Sequence, residues 1–365
     1  MSWHGIRTVA ALELRQRVRT SRWPIVLGLW FVTVGLVTLL AYLATNNPQL
    51  QSGQAMYDIV VFFVLGLAML IVPSLTATSV NGDREHGVLA TLQTTLLTPW
   101  EITVGKLLAA WAVALTFLAT SLPFLAWAWF EGGLGVGRIA LSLIVLILVL
   151  AVVCAIGLMF STLTARTVSS AVLTYLTIGA LVFGTTIGFG LSAFLVTHPE
   201  QQKVYGLSAN WWSTHQPTAA NPGGPVVPTV ADCTQYTERR PVTHTERIWW
   251  MLPLNPFVVV ADAAPSEPRA GSASSAGFTP LRWISAGARL ARKGPDAVAN
   301  ECLSEVTATQ PGGAPSDPIA GALKSAPVWP YGLTFLLLAG AGSVVVSARR
   351  LRTPLRRLPS GTRIA

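Results

Sequence analysis

Charge is scarce in this chain. Asp, Glu, Lys and Arg make up 11% of its 365 residues, while 52% are hydrophobic and the mean hydropathy is +0.53. Soluble domains carry roughly a quarter charged residues, so that class is excluded and an integral membrane protein is indicated. Cysteine and histidine are scarce as well, three and five, and none falls at metal-ligand spacing, so no metal site is expected. Motifs for bond-making chemistry are also missing: there is no G-x-x-x-x-G-K-[ST] phosphate loop, no G-x-S-x-G elbow, no H-E-x-x-H and no paired intramembrane carboxylates. The chain is therefore expected to hold no catalytic residue and no cofactor of its own.

The charge that is present is unevenly placed. The net charge is +9, and the excess lies in two arms. Arg7, Arg15, Arg17, Arg19 and Arg22 occupy the N-terminal arm; Arg349, Arg350, Arg352, Arg356, Arg357 and Arg363 occupy the C-terminal one, with no acid among them. Both arms abut apolar runs, so they read as positive-inside determinants and as contacts for anionic membrane lipids. Nucleic acid is not an expected partner.

Six apolar runs are each long enough to cross a hydrocarbon layer of about 30 Å. They cover residues 24 to 44, 57 to 80, 102 to 130, 138 to 160, 169 to 196 and 328 to 348. The first 23 residues read as a helix along the membrane face, with Val9, Leu12 and Val18 among arginines and Trp3 and Trp23 at interfacial depth. Asp58 is expected at the hydrated outer edge of the second run, Pro73 kinks that run, and Cys154 is a small buried hydrophobe. Six crossings put both arginine-rich termini on one side, as the charge rule independently requires. The expected fold class is an all-α integral membrane protein, with residues 1–196 carrying the N-terminal helix and five spans, and 328–365 the sixth span and a basic cytoplasmic tail.

Residues 197–327 between them change character. Proline, glycine, serine and charged residues dominate, the charges balance to near zero, and span parity makes the segment an extracytoplasmic insert. Two parts look ordered, 205–213 and 247–264, and in the latter Trp249, Trp250, Leu252, Pro253 and the Asn255-Pro256-Phe257 turn suit an interfacial or partly re-entrant helix. Residues 266–276 and 311–318 read as flexible linkers. Cys233 and Cys302 share this segment. On the oxidising side of a membrane such cysteines often bridge, so a disulfide is a candidate and two separate thiols remain the alternative.

The connection from Asn81 to Lys106, NGDREHGVLATLQTTLLTPWEITVGK, lies between the second and third runs and so sits in water at a membrane face. Residues 84–98 repeat apolar side chains at helical spacing (Val88, Leu92, Leu96, with Leu89 and Leu97 beside them), which predicts a short amphipathic helix. A helix start follows: Thr98 can accept from free N–H groups of the next turn, Pro99 fits the first helical position, and Glu101 can reach back to the N–H of Thr98. Gly105 and Lys106 then enter the membrane, with the Lys106 ammonium expected at headgroup level.

Arg84-Glu85, Gly87, Leu89, Leu92, Leu96-Leu97, Thr98-Pro99, Glu101-Ile102 and Gly105-Lys106 together resemble the pattern between the second and third spans of type-2 ABC exporter permeases. This chain has Val88-Leu89-Ala90 where Thr-Leu-Glu is common. The resemblance implies a coupling helix at 84–98 that docks on a separate cytoplasmic ATPase subunit, with ATP and Mg bound there, and a second permease subunit, the same chain or a related one. Asp83, Arg84 and Glu85 would give polar registration, Leu89, Leu92 and Leu96 the apolar contact, and Thr98, Pro99 and Glu101 a stiff join to the third span. The cargo would be a hydrophobic drug, a lipid or a lipid-linked molecule, moved out of the cytoplasm across the inner (plasma) membrane. A membrane scaffold or sensor whose insert binds a ligand is the rival reading; an ATPase that co-purifies with the chain separates the two.

Overall fold

The structure is a computed structural model that describes residues 2–19, 22–45, 52–85, 97–132, 135–214, 228–264, 279–302, 306 and 318–352. In chain order the helices before the insert are α1 (Trp3–Val18), α2 (Arg22–Thr45), α3 (Ser52–Ala77), α4 (Ser79–Glu85), α5 (Pro99–Phe130), α6 (Val136–Leu163), α7 (Thr167–Gly179) and α8 (Thr185–Leu195). A π-helical turn, Ala180–Gly184, joins α7 to α8. The insert contributes β1 (Thr197–Gly206), α9 (Ala209–Thr214), β2 (Thr234–Thr243), α10 (Pro256–Ala263), α11 (Pro280–Lys293), β3 (Val298–Asn300) and α12 (Pro318–Leu323), and α13 (Trp329–Arg350) follows.

Six helical stretches are long and apolar enough to cross a membrane: α2, α3 with α4, α5, α6, α7 with α8, and α13. A helix pairs most of its backbone polar groups internally, the condition hydrocarbon imposes on a spanning segment, with Pro73 and Pro123 each removing one donor from α3 and α5. Among them α3, α5 and α6 form the centre, where Tyr57, Val60 and Leu65 pack with Val113, Phe117, Leu146 and Val149. Inside the bundle Trp30 Nε1 donates to Ser121 Oγ at 2.9 Å, which links α2 to α5. The fifth stretch is peripheral, with 11% of its apolar window buried against 56% for α5, so most of its surface is left to lipid or to another chain.

Three features add to or correct the sequence expectations. The chain is mostly helical, as expected of an all-α membrane protein, and the insert adds a three-stranded sheet of order β2-β1-β3, with β1 and β2 antiparallel from Thr197↔Thr243 to Gly206↔Thr234 and β3 parallel to β1. THPEQQKVYG has no apolar alternation because the ribbon is mostly exposed on both faces, so the period-2 signal of a half-buried strand is absent. Asp58 is not hydrated but 0% exposed, and Arg138 at the start of α6 reaches it at 2.9 Å while donating to the Ala264 carbonyl at 2.8 Å. Lys106 does not reach solvent either; it is 1% exposed.

The 247–264 stretch enters the bundle. After a 3-10 turn, Trp249–Leu254, Asn255 caps α10 by accepting from the Phe257 N–H at 2.9 Å, and Val259, Val260 and Ala261 join the main core. Asp262 on the same helix is buried. It accepts from Arg289 Nε at 2.5 Å and from the backbone N–H groups of Val328 and Trp329 at 2.6 and 2.9 Å, which ties α10 and α11 to the first turn of α13. Cys233 and Cys302 are disulfide-bonded, Cα atoms 5.7 Å apart, beside buried Leu207 and Val306. The expected linkers at 266–276 and 311–318 lie outside the described residues except for Pro318, which begins α12.

Candidate functional site

The residues singled out between the second and third spans converge on a joint. Leu89, Leu92 and Leu96 lie outside the described residues, so the joint is built from what flanks them. On the incoming side α4 is held to the end of α6: Ser161 Oγ accepts from the N–H groups of Val80 and Asn81 at 3.0 and 3.2 Å, and Arg84 donates to the Thr164 carbonyl at 3.3 Å. Glu85 closes that helix.

On the outgoing side the Thr98-Pro99 helix start takes the form its residues dictate. The Thr98 side chain accepts from the Glu101 N–H at 3.4 Å, the Glu101 carboxylate accepts from the Thr98 N–H at 2.8 Å, and Pro99 occupies the first helical position. Glu101 does more than close its own helix. Its second oxygen accepts the Ser2 N–H at 2.5 Å, so the beginning of α1 is pinned to the beginning of α5.

From there α1 runs along α5. A Cβ at Gly105 would stand 2.7 Å from the Val9 side chain and 3.0 Å from the Ile6 carbonyl, so only glycine permits this approach. At the next residue, Lys106 Nζ donates to Glu13 of α1, to Asp83 of α4 and to the Ser79 carbonyl, the last at 3.2 Å. Arg17 completes the group, its Nε 3.9 Å from Glu13 and its NH2 3.1 Å from the Leu75 carbonyl of α3. Two carboxylates thus meet two cations, which removes the penalty of an unpaired buried charge.

The described chain stops at Glu85, two residues after Asp83, and resumes at Leu97 ahead of the helix that carries Lys106; the Asp83 and Lys106 side chains on the two flanks are bonded to each other. Asp83 and Glu101 turn their carboxylates to this internal work. Leu97 packs with Val80, Ile102, Leu158 and Leu351, so the end of α13 also borders the joint. Sequence reasoning missed Glu13 and Arg17. A signal was present, since Glu13 is the only acid before Asp58 and lies at helical spacing among arginines.

At the insert end, a cavity of about 970 Å³ lies between α3 and the fifth stretch and is bordered by Leu252, Phe257 and α11. Phe62, Phe63, Leu67, Phe183, Ile187 and Trp283 are among its walls. The polar groups on it are already engaged: Tyr175 OH donates to the Leu70 carbonyl at 2.6 Å, and Asn255 Nδ2 to the Val182 carbonyl at 2.7 Å. Its walls therefore offer apolar contact rather than hydrogen bonds.

Comparison with known families returns one description. The sequence model for "ABC-2 family transporter protein" matches residues 22–220, more than half of the chain and every span but the sixth. A search of curated proteins finds no match.

Proposed function

We propose, for a chain that belongs to the ABC-2 transporter family and is thereby a permease subunit of an ABC transporter, that it works as the membrane part of an ATP-driven exporter. Such a permease works with an ATPase subunit. In this reading the ATPase binds the 84–98 segment at the cytoplasmic face, with Leu89, Leu92 and Leu96 as the apolar contact, and both termini lie on that side of the plasma membrane. A second permease, a further copy or a related chain, would pair along the exposed fifth stretch, and membrane lipids would surround the rest.

The observation that supports this reading is the clamp around the 86–97 connection. A loose loop would absorb displacement in its own φ/ψ angles, whereas one whose flanks share the Asp83–Lys106 pair passes it on. Closure of the ATPases would tilt α3 with α4 and α5 as a unit and change access to the pathway between the spans. The cargo is a hydrophobic drug, a lipid or a lipid-linked molecule, which the apolar cavity beside the fifth stretch suits because it has no free polar group to match a hydrophilic solute.

The test is reconstitution of the chain with its ATPase in vesicles. Leu92→Asp should insert normally and leave ATP hydrolysis running while transport is lost. Full transport by that variant, or transport with no ATPase present, would overturn the proposal.

A further inference from the structure

The side of α1 turned away from the joint is basic. Gly5, Ile6, Val9 and Glu13 point into the protein, whereas His4, Arg7, Thr8, Ala11, Arg15 and Arg19 are exposed. Positions 4, 8, 11, 15 and 19 recur every three or four residues and so share one face, with Arg7 at its border. The only acid of the helix, Glu13, is on the opposite side and bonded to Lys106. Among the described residues no carboxylate pairs with Arg7, Arg15 or Arg19.

An apolar edge runs beside this face. Trp3 is 71% exposed and Val18 57%; with half-buried Leu14 they lie along one edge of the helix, which Arg7 shares at the border of the basic face. The helix lies where α3 ends and α5 begins, since Arg17 reaches the Leu75 carbonyl and Val9 abuts Gly105. An apolar edge next to a row of arginines, at the level where one span ends and another begins, has the shape of a surface that sits across the headgroup boundary.

We propose that the outer face of α1 binds the headgroups of anionic phospholipids, with Arg7, Arg15 and Arg19 on the phosphates and Trp3 and Val18 at the top of the acyl chains. A soluble anion would satisfy the arginines and leave Trp3 and Val18 in water. An acidic protein surface would do the same unless it carried a matching apolar ridge. A lipid meets both halves at once. Because the inner face of α1 is bonded to Glu101 and Lys106, a headgroup held outside also steadies one wall of the joint.

The full chain, purified in a zwitterionic detergent, is offered equimolar phosphatidylglycerol and phosphatidylcholine, and retained lipids are counted by native mass spectrometry. The wild type should prefer phosphatidylglycerol. Each arginine near such a surface is worth roughly five-fold, so Arg7→Gln/Arg15→Gln/Arg19→Gln should lower the preference by about 10-fold or more. The corresponding triple lysine variant should keep it. An unchanged preference in a triple glutamine variant that elutes as the wild type does overturns the proposal, as does loss of a co-purifying ATPase with lipid retention intact. If that variant aggregates, salt serves instead: about 1 M salt shortens the screening length to about 3 Å, and the wild-type preference must collapse. A preference indifferent to salt overturns it equally. The readout is lipid on the isolated chain, so it can fail while the exporter reading stands, and the reverse.

Discussion

Lys106→Met tests the joint directly. The substitution keeps the length and apolar volume of the side chain and removes only the ammonium between Glu13 and Asp83. In the native protein the Lys106 side chain is 0% exposed, and its two carboxylate partners are 9% and 19% exposed. Without it the carboxylates face each other, with Arg17 at 3.9 Å from Glu13 alone. Removing one member of a buried ion pair costs roughly 3–5 kcal/mol, and the partial exposure of Asp83 puts this case near the lower end, about 3 kcal/mol. The triple variant Lys106→Met/Glu13→Gln/Asp83→Asn removes the attraction and the cost of burying the charges together, so it should fall within about 1 kcal/mol of the wild type. Thermal unfolding in detergent micelles, followed by tryptophan fluorescence and by monodisperse elution, reads both. A single variant as stable as the wild type, or a triple variant as weak as the single one, refutes the reasoning.

Further outcomes follow from neighbouring features. Thr98→Ala should cost about 1 kcal/mol as an ordinary lost cap; Glu101→Ala should cost more in the same unfolding assay, because it frees the N–H groups of both Thr98 and Ser2, and equal losses would speak against the Ser2 contact. Arg138→Ala strips a guanidinium from fully buried Asp58 and should cost on the order of 3 kcal/mol, while Arg138→Ala/Asp58→Asn should recover much of it; a single variant with an unaltered midpoint would contradict that. In the insert, hydrogen bonding of His244 to Glu246, then to Glu200, holds its imidazole above the ordinary range, against a smaller opposing effect of burial. Its folded value being raised, the stabilisation is full below the usual histidine value of about 6.5 and is lost as pH climbs through the raised one. Amide protection around residues 197–206 and 234–247, corrected for intrinsic exchange, should fall across that neutral-to-alkaline window, and His244→Gln should abolish the pH dependence.

What the sequence disclosed was whatever is encoded within a few residues. The start of α5 is legible because Thr98, Pro99 and Glu101 specify it among themselves, and the spanning helices because long apolar runs admit few other structures. Pairings across the chain are not encoded that way. Glu13 and Lys106 stand 93 residues apart and Asp58 and Arg138 stand 80 apart, so each reads alone as a charge seeking water, and only packing shows that it has a partner instead. The β1–β2 ribbon escaped for a different reason: its stability lies in backbone ladders and the nearby disulfide, and neither leaves a periodic trace in THPEQQKVYG. The Gly105-Lys106 pair carried both kinds of information. Its place in the motif was visible, while the close approach of α1 that requires the glycine was not.

The π-helical turn at Ala180–Gly184 has a mechanical consequence. A widened turn interrupts the regular i to i+4 ladder, and Asn255 from the insert donates to the Val182 carbonyl at that point. Segments on either side are rotated out of the register an unbroken helix would impose, so α7 and α8 can each settle against different neighbours. A rod bends first where its bracing changes. The side of the cavity formed by Val182, Phe183 and Thr186 is thus the compliant one, and bulky occupants would be accommodated there, by flexing of the fifth helix, before α3 on the facing wall gives way.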